Sequence, residues 1–424
     1  MKIKSLKLTN FRGAADLPLA LDERLNVFVG VNGAGKSTVL DAVALALSWA
    51  ANRIRHTSSS GRPIDKSEIT NGKSTAAIEV NCQSEIGTVA WKLSKSRAGH
   101  AAEDKSSFHE LTEYARSVQN SITETAERFN LPLFAYFPVN RAVLDIPLRI
   151  REKHRFTLLS AYDDALTSGA NFRTFFEWFR EREDLENENR KYRDELIKPD
   201  GYCFPDRQLE AVRMALASFL PEFRNLTVRR NPLRMEVEKQ GQRLSVNQLS
   251  DGEKCMIALT GDLARRLAIA NPTLDHPMLG SGVVLIDEID LHLHPTWQRL
   301  VVPKLLEVFP NCQFIVSTHS PHVITHVQPE SLYLLRQTPQ GIAAENPRES
   351  YGKNVDRVLE DLMGLATTRP DSVESDLRAL FLSIDRGELQ PARGKVEALR
   401  ETIGNDPDLV RADVHIRRKE IIGK

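Results

Sequence analysis

The chain has 424 residues, 41% hydrophobic and 27% charged, an ordinary globular balance that length alone would divide into two or three domains. Lys and Arg number 57 against 57 Asp and Glu, so a formal net charge of zero argues for neither a nucleic-acid nor a membrane partner. The four cysteines (Cys82, Cys203, Cys255, Cys312) are scattered without a CxxC pair, which excludes a disulfide frame or zinc site and fits a reducing cytoplasm; no apolar run is long enough to span a bilayer.

Residues 1 to 29 read as β structure, with Leu6 and Leu8, then Leu17, Leu19 and Leu21, on alternating positions. The start leads into a strand and not a signal peptide. Leu25 to Val29 is a buried strand running into Gly30-Val31-Asn32-Gly33-Ala34-Gly35-Lys36-Ser37-Thr38, which fits G-x-x-x-x-G-K-[ST]. Leu40, Val43, Ala44 and Leu47 then keep helical spacing. Strand, glycine loop and helix together form a phosphate cradle. Backbone N–H groups wrap the phosphates, Lys36 supplies a point charge and Ser37 a hydroxyl for Mg²⁺.

Residues 55 to 75 read as a mobile loop, and residues 78 to 93 as a hairpin around Gly87. A charged helix leads to a core strand, Leu131 to Phe137, followed by Asn140 and Arg141. Residues 145 to 222 read as a helical insertion. Phe172, Phe175, Phe176 and Phe179 are core by spacing, and the charge run 181 to 195 reads as a solvated face. Short strands at 226–230 and 233–237 precede Leu249-Ser250-Asp251-Gly252-Glu253-Lys254, which heads a helix through Ala270. Val283 to Ile286 is a buried parallel strand ending in Asp287-Glu288, where ligands of open α/β sheets sit. A helix starts near Pro295, a core strand at 314–317 ends in Thr318-His319-Ser320, and 332–335 is taken as the last strand. Beyond about residue 345 the pattern is helical.

Phosphoryl transfer needs charge neutralisation and a positioned nucleophile more than covalent chemistry. Asp287 is the candidate Mg²⁺ carboxylate, direct or one layer out. Glu288 is the candidate base or water-positioner. His319, after a second parallel strand, is the candidate γ-phosphate contact. His292 and His294 form H-x-H, but their place just after the acid pair explains them better than a metal site.

The order of phosphate loop, Leu-Ser-x-Gly, Asp-Glu and Ser-Thr-His resembles the ABC-type P-loop ATPases, in the soluble branch with RecF, SMC and OLD proteins. The start Leu8-Thr9-Asn10-Phe11-Arg12-Gly13 is similar to that branch's L-x-N-F-R-G, as are residues 287–295 and 317–321. The resemblance covers most of residues 1 to 340. It implies an α/β ATPase head of mixed and parallel sheet with flanking helices and an antiparallel β subdomain. It further implies ATP and Mg²⁺ bound by residues 32–38 and Asp287, Glu288 as catalytic carboxylate, and His319 as the switch. Asp290 would lie in the D-loop, and Arg12 would approach the nucleotide. Ser250 and Gly252 would meet the γ-phosphate of a second copy, hence a dimer or higher homo-oligomer. No glutamine follows the Phe134–Phe137 strand, leaving Asn140 or Arg141 for the metal-sensing place.

This pattern gives four segments: an ATPase lobe with the phosphate loop (1–144), a helical insertion (145–222), a second lobe with signature and acid pair (223–344) and a helical C-terminal region (345–424). Without a transmembrane segment or long coiled coil the chain is neither a transporter nor a full SMC protein. Its one D-x-D, Asp406-Pro407-Asp408, lacks the strands of an OLD nuclease. Tyr351 to Asn354 and Leu359 to Gly364 resemble the tail of PtuA-type ATPases of Septu and retron-linked antiphage systems, which work beside a separate HNH nuclease. That resemblance implies a regulatory defence ATPase. The competing readings are a RecF-like clamp binding DNA or RNA through Arg224, Arg229, Arg230, Arg234 and Arg243 or Arg417, Arg418 and Lys419, and an ATP-dependent scaffold.

Overall fold

A computed structural model describes residues 1–98, 105–139, 156–167, 172–195, 197–199 and 202–422. Asn140 and Arg141 lie outside the described residues, as does part of the expected insertion. The expected α/β head is present. Its first half is β1 (Lys2–Phe11), β2 (Ala14–Ala20), β3 (Leu25–Val29), α1 (Lys36–Arg55), β4 (Thr75–Ser84), β5 (Gly87–Ser96), α2 (His109–Glu124) and β6 (Leu133–Phe137). Then come α3 (Phe172–Arg190), α4 (Arg207–Phe219), β7 (Phe223–Arg230), β8 (Leu233–Lys239), β9 (Gln242–Ser245) and α5 (Asp251–Ala270). The head continues through β10 (Gly282–Ile286), α6 (Pro295–Val308), β11 (Cys312–Thr318), α7 (Pro321–Ile324), β12 (Leu332–Thr338) and β13 (Gly341–Glu345). The tail holds α8 (Val355–Arg357), α9 (Asp371–Asp385), α10 (Leu389–Ile403) and α11 (Pro407–Ile422).

The central sheet has six strands in the order β13-β12-β3-β11-β10-β6. β12, β3, β11, β10 and β6 run parallel, with Val29 opposite Thr318 and Ile286 opposite both Val316 and Phe137. Every residue of β3, β6, β10 and β11 is buried, which is why these strands read as unbroken apolar runs. Their C-terminal ends align, so the segments after β3, β10 and β11 meet along one edge. A four-stranded antiparallel sheet, β2-β1-β4-β5, is tied to this one by buried Gln313. The Gln313 side chain accepts from Ile3 N at 2.7 Å and donates to Ile3 O and Asp22 O at 2.7 Å.

From Cys255 to Ala270 every residue of α5 is buried, so it is an interior helix and not a surface one. Asp262, Arg265 and Arg266 form a buried ion cluster on it, with Arg266 Nε 2.8 Å from Asp262. Phe172, Phe175, Phe176 and Phe179 of α3 are buried as expected, and the Phe175 ring covers Gly261 of α5. The charge run of α3 departs from a solvated face. Glu183 and Glu186 are buried, and pair with Arg230 at 2.5 Å and Arg213 at 2.9 Å. Those guanidiniums come from β7 and α4, and so are invisible to a local reading of α3.

Two strands escaped the sequence reading. β9 is a four-residue edge strand of β7-β8-β9 that buries no residue fully, so it carries no alternation. β13 follows the strand taken as last, and pairs antiparallel with β12 through the turn at Gly341, φ 116°. Among its five residues only Ile342 is buried, a single apolar anchor that leaves no period to detect.

The described chain divides into two compact units, Met1–Lys353 and Asn354–Lys424. The second has its own core, built from one face each of α9, α10 and α11, including Leu380, Ile384, Val396, Leu409 and Ile416.

Candidate functional site

β3 delivers the chain to a loop that needs glycine at three positions. A Cβ on Gly30 would stand 2.5 Å from Leu335 O, and Gly33 and Gly35 have φ of 81° and 103°, a region that favours glycine. Ile342 of β13 packs directly on Gly35. α1 begins after Gly35 with no side-chain cap and no acidic residue in its first turn. No residue of that turn therefore competes for its leading N–H groups, which suits an anion site. Lys36 is buried and folds back on its own loop, donating to Gly30 O at 2.9 Å and Val31 O at 3.2 Å. Burial lowers its pKa, opposed by Asp287, Glu288 and Asp290. Asn32 and Gly33 are exposed, Ala34 is buried, and Thr38 is half-buried in the first helical turn.

β10 runs straight into Asp287, whose N–H donates to Phe137 O at 2.9 Å. Its carboxylate is held by two serines. Ser37 Oγ donates to Oδ2 at 2.8 Å, and Ser317 Oγ donates to Oδ1. A hydroxyl beside a buried carboxylate is an all-oxygen donor set, which suits a hard divalent cation such as Mg²⁺. Glu288 follows with φ 46°, and its N–H donates to Ser317 Oγ at 2.8 Å. A non-glycine residue in that conformation persists only where its surroundings hold it, a frequent feature of working sites.

β11, lying between β3 and β10, ends in Thr318 and His319. Thr318 Oγ1 donates to Asp290 Oδ1, and His319 N donates to the same oxygen at 3.3 Å. Burial lowers the His319 pKa, the Lys36 cation lowers it further, and Asp290, Glu288 and Asp287 oppose. Lys36, Ser37, Asp287, Glu288, Asp290 and His319 are thus brought together from three strand ends.

Ser250 and Gly252 keep other company. Ser250 caps α5 in a reciprocal box with Glu253: Glu253 N donates to Ser250 Oγ at 3.4 Å, and Ser250 N to Glu253 Oε2 at 2.9 Å. Lys239 closes on the same Glu253 at 2.5 Å. A Cβ on Gly252 would meet His292 O at 2.5 Å. His294 caps α6, accepting from Thr296 N at 3.3 Å, which gives that histidine a helix-end role. Arg12, in the turn after β1, pairs with Asp41 of α1 and Glu68. Asp406 and Asp408 both bind Arg369, at 2.9 and 2.8 Å.

Ser317, Asp41, Glu68 and Tyr136 were not singled out by the sequence. Ser317 lay inside the Ser-Thr-His run, whose role was given to His319 alone, although its hydroxyl sits near the end of a fully buried strand. The other three are common residue types whose partners lie on distant segments.

A family sequence model described as AAA domain, putative AbiEii toxin, Type IV TA system matches residues 25–325. The Retron Ec83 probable ATPase of Escherichia coli is 31% identical, over 99% of this chain and 87% of its own. The Retron Vc95 probable ATPase of Vibrio cholerae serotype O1 biovar El Tor is 31% identical, over 85% and 78%. The Septu protein PtuA of Bacillus thuringiensis is 25% identical, over 87% and 85%.

Proposed function

The chain belongs to the family described as AAA domain, putative AbiEii toxin, Type IV TA system, and from that premise we propose that this ATPase is the nucleotide-driven subunit of an antiviral, antiphage defence complex. The observation that carries the reading is the 31% identity to the Retron Ec83 probable ATPase over 99% of this chain, the helical tail included. ATP binding would assemble two or more copies, and that assembly would set the activity of a separate HNH-type nuclease docked on the tail or the α3–α4 insertion.

In this reading residues 32–38 cradle the triphosphate, and Lys36 leaves its loop carbonyls to reach the β- and γ-phosphates. Mg²⁺, when bound by Ser37 and Asp287, would offset the charge developing between those phosphates. Glu288 positions and deprotonates the attacking water. His319 contacts the γ-phosphate as neutral imidazole, consistent with its lowered pKa. Ser250, Gly252 and Asp290 reach the nucleotide of a neighbouring copy. Among the described residues no helix is long and apolar enough to cross a membrane.

The test is co-expression with the nuclease encoded beside this gene in its host, followed by co-purification and phage plating. Lys36→Ala should lose protection. Full protection by both Lys36→Ala and Glu288→Gln chains would remove nucleotide control from the proposal. A direct DNA clamp has weaker support, because Arg229 and Arg234 both pair with Glu236, and Arg230 with Glu183 and Asp184. DNA affinity falling steeply with salt would reinstate it.

A further inference from the structure

We propose that Asp41 is a positioning residue for ATP binding, holding the Arg12 guanidinium beside the phosphate loop while Tyr136 holds Asp41. The inference rests on the proposed phosphate-loop roles of residues 30–38 and Arg12.

Asp41 follows Ser37 by one helical turn on α1, so the two share a face. Both its oxygens are used: Oδ2 accepts from Arg12 Nη1, and Oδ1 from Tyr136 Oη at 2.9 Å. Glu68 takes the other edge of the guanidinium, accepting from Nε at 3.1 Å and Nη2 at 2.5 Å. Arginine has five N–H donors, so these bonds leave one on Nη1 and one on Nη2. The Arg12 side chain is 33% exposed, and among the described residues no further acceptor engages that pair.

A loose arginine loses rotamer freedom when it grips a phosphate. Arg12 has already lost it. Its backbone is fixed as well, at φ 45° with Arg12 N donating to Glu68 O at 2.8 Å. Tyr136 ties the clamp to the metal carboxylate. It precedes Phe137 on β6, and Phe137 O accepts from Asp287 N. Glu68, Arg12, Asp41 and Tyr136 therefore form one chain of contacts from the loop after α1 to the edge carrying Asp287.

Asp41 brings a negative charge near the phosphates as well as a clamp, and the two act in opposite directions on ATP. The experiment separates them. Full-length Asp41→Ala, Arg12→Ala, the double variant and Tyr136→Phe are compared by steady-state ATPase kinetics and by binding of a non-hydrolysable ATP analogue. Expected for Asp41→Ala is a KM about tenfold higher with kcat within about twofold, and for Tyr136→Phe a rise of about threefold. The double variant should be no worse than Arg12→Ala alone, since Asp41 acts through Arg12. Asp41→Asn, which keeps an accepting oxygen, should fall between parent and Asp41→Ala.

Multiplying effects of Asp41→Ala and Arg12→Ala, an unchanged KM, or tighter ATP binding by Asp41→Ala would overturn the proposal. If Asp41→Ala fails to fold, an unchanged KM in Tyr136→Phe does so. A Lys36→Ala chain that binds ATP normally would instead sink the phosphate-loop reading itself, whatever Asp41 does.

Discussion

Ser37 and Asp287 stand 250 positions apart in the chain, and the Ser37 hydroxyl donates to the Asp287 carboxylate at 2.8 Å. Loop and strand end are therefore set directly against each other. Asp287→Ala should raise the Mg²⁺ concentration for half-maximal ATP turnover about ten- to a hundredfold, as read from a Mg²⁺ titration at saturating ATP. An unchanged titration would take Asp287 out of the metal site.

Among the described residues Lys36 rests on two loop carbonyls and pairs with no carboxylate, so in the proposed role its ammonium would turn to an incoming anion. Lys36→Ala should weaken ATP binding about a hundredfold, measured by calorimetry or a fluorescent nucleotide. Near-parental affinity would refute the role given to it.

Glu288 is where turnover should separate from binding. Glu288→Gln keeps the shape and removes the base, so kcat should fall by about 100-fold or more while nucleotide affinity holds. Pre-steady-state hydrolysis at the parental rate would exclude it as the base.

The lowered pKa of His319 has a defined pH consequence. The folded state prefers the neutral ring, so below the ordinary value of 6.5 the unfolded chain binds more protons. The contribution to stability is fully present above that value and is lost as pH falls from it through the lower folded-state pKa. His319→Asn should flatten the acid side of the profile in melts between about pH 7.5 and 5.5. A variant with the parental slope would assign that slope elsewhere, first to His326, whose pKa is also lowered by burial.

Asp262 is buried between Arg265 and Arg266, and despite a desolvation penalty its pKa is lowered by the two guanidiniums. Asp262→Ala would strand two cations inside the molecule at a cost of roughly 3–5 kcal/mol in denaturant unfolding. A loss under about 1 kcal/mol would mean that α5 can rehydrate or repack there.

Much of the catalytic edge was legible because its chemistry is local: a glycine loop, an acid pair after an apolar strand, a histidine after another. Unbroken apolar runs also carried the core, since β3, β10 and β11 are buried on both faces. What stayed hidden depends on partners far away in sequence. Nothing around Asp41 announces Arg12 or Tyr136, and nothing around Glu183 announces Arg230. β9 and β13 were missed because edge strands with one buried residue or none have no period to read.

The missing side chain at Gly252 has a mechanical meaning. A Cβ there would stand 2.5 Å from the carbonyl oxygen of His292, so the turn at Ser250 packs against the stretch just beyond Glu288 with no room for a side chain between them. In the paired arrangement proposed above, any larger residue at 252 would part the turn offered to a neighbour's nucleotide from the segment that would serve this copy's own.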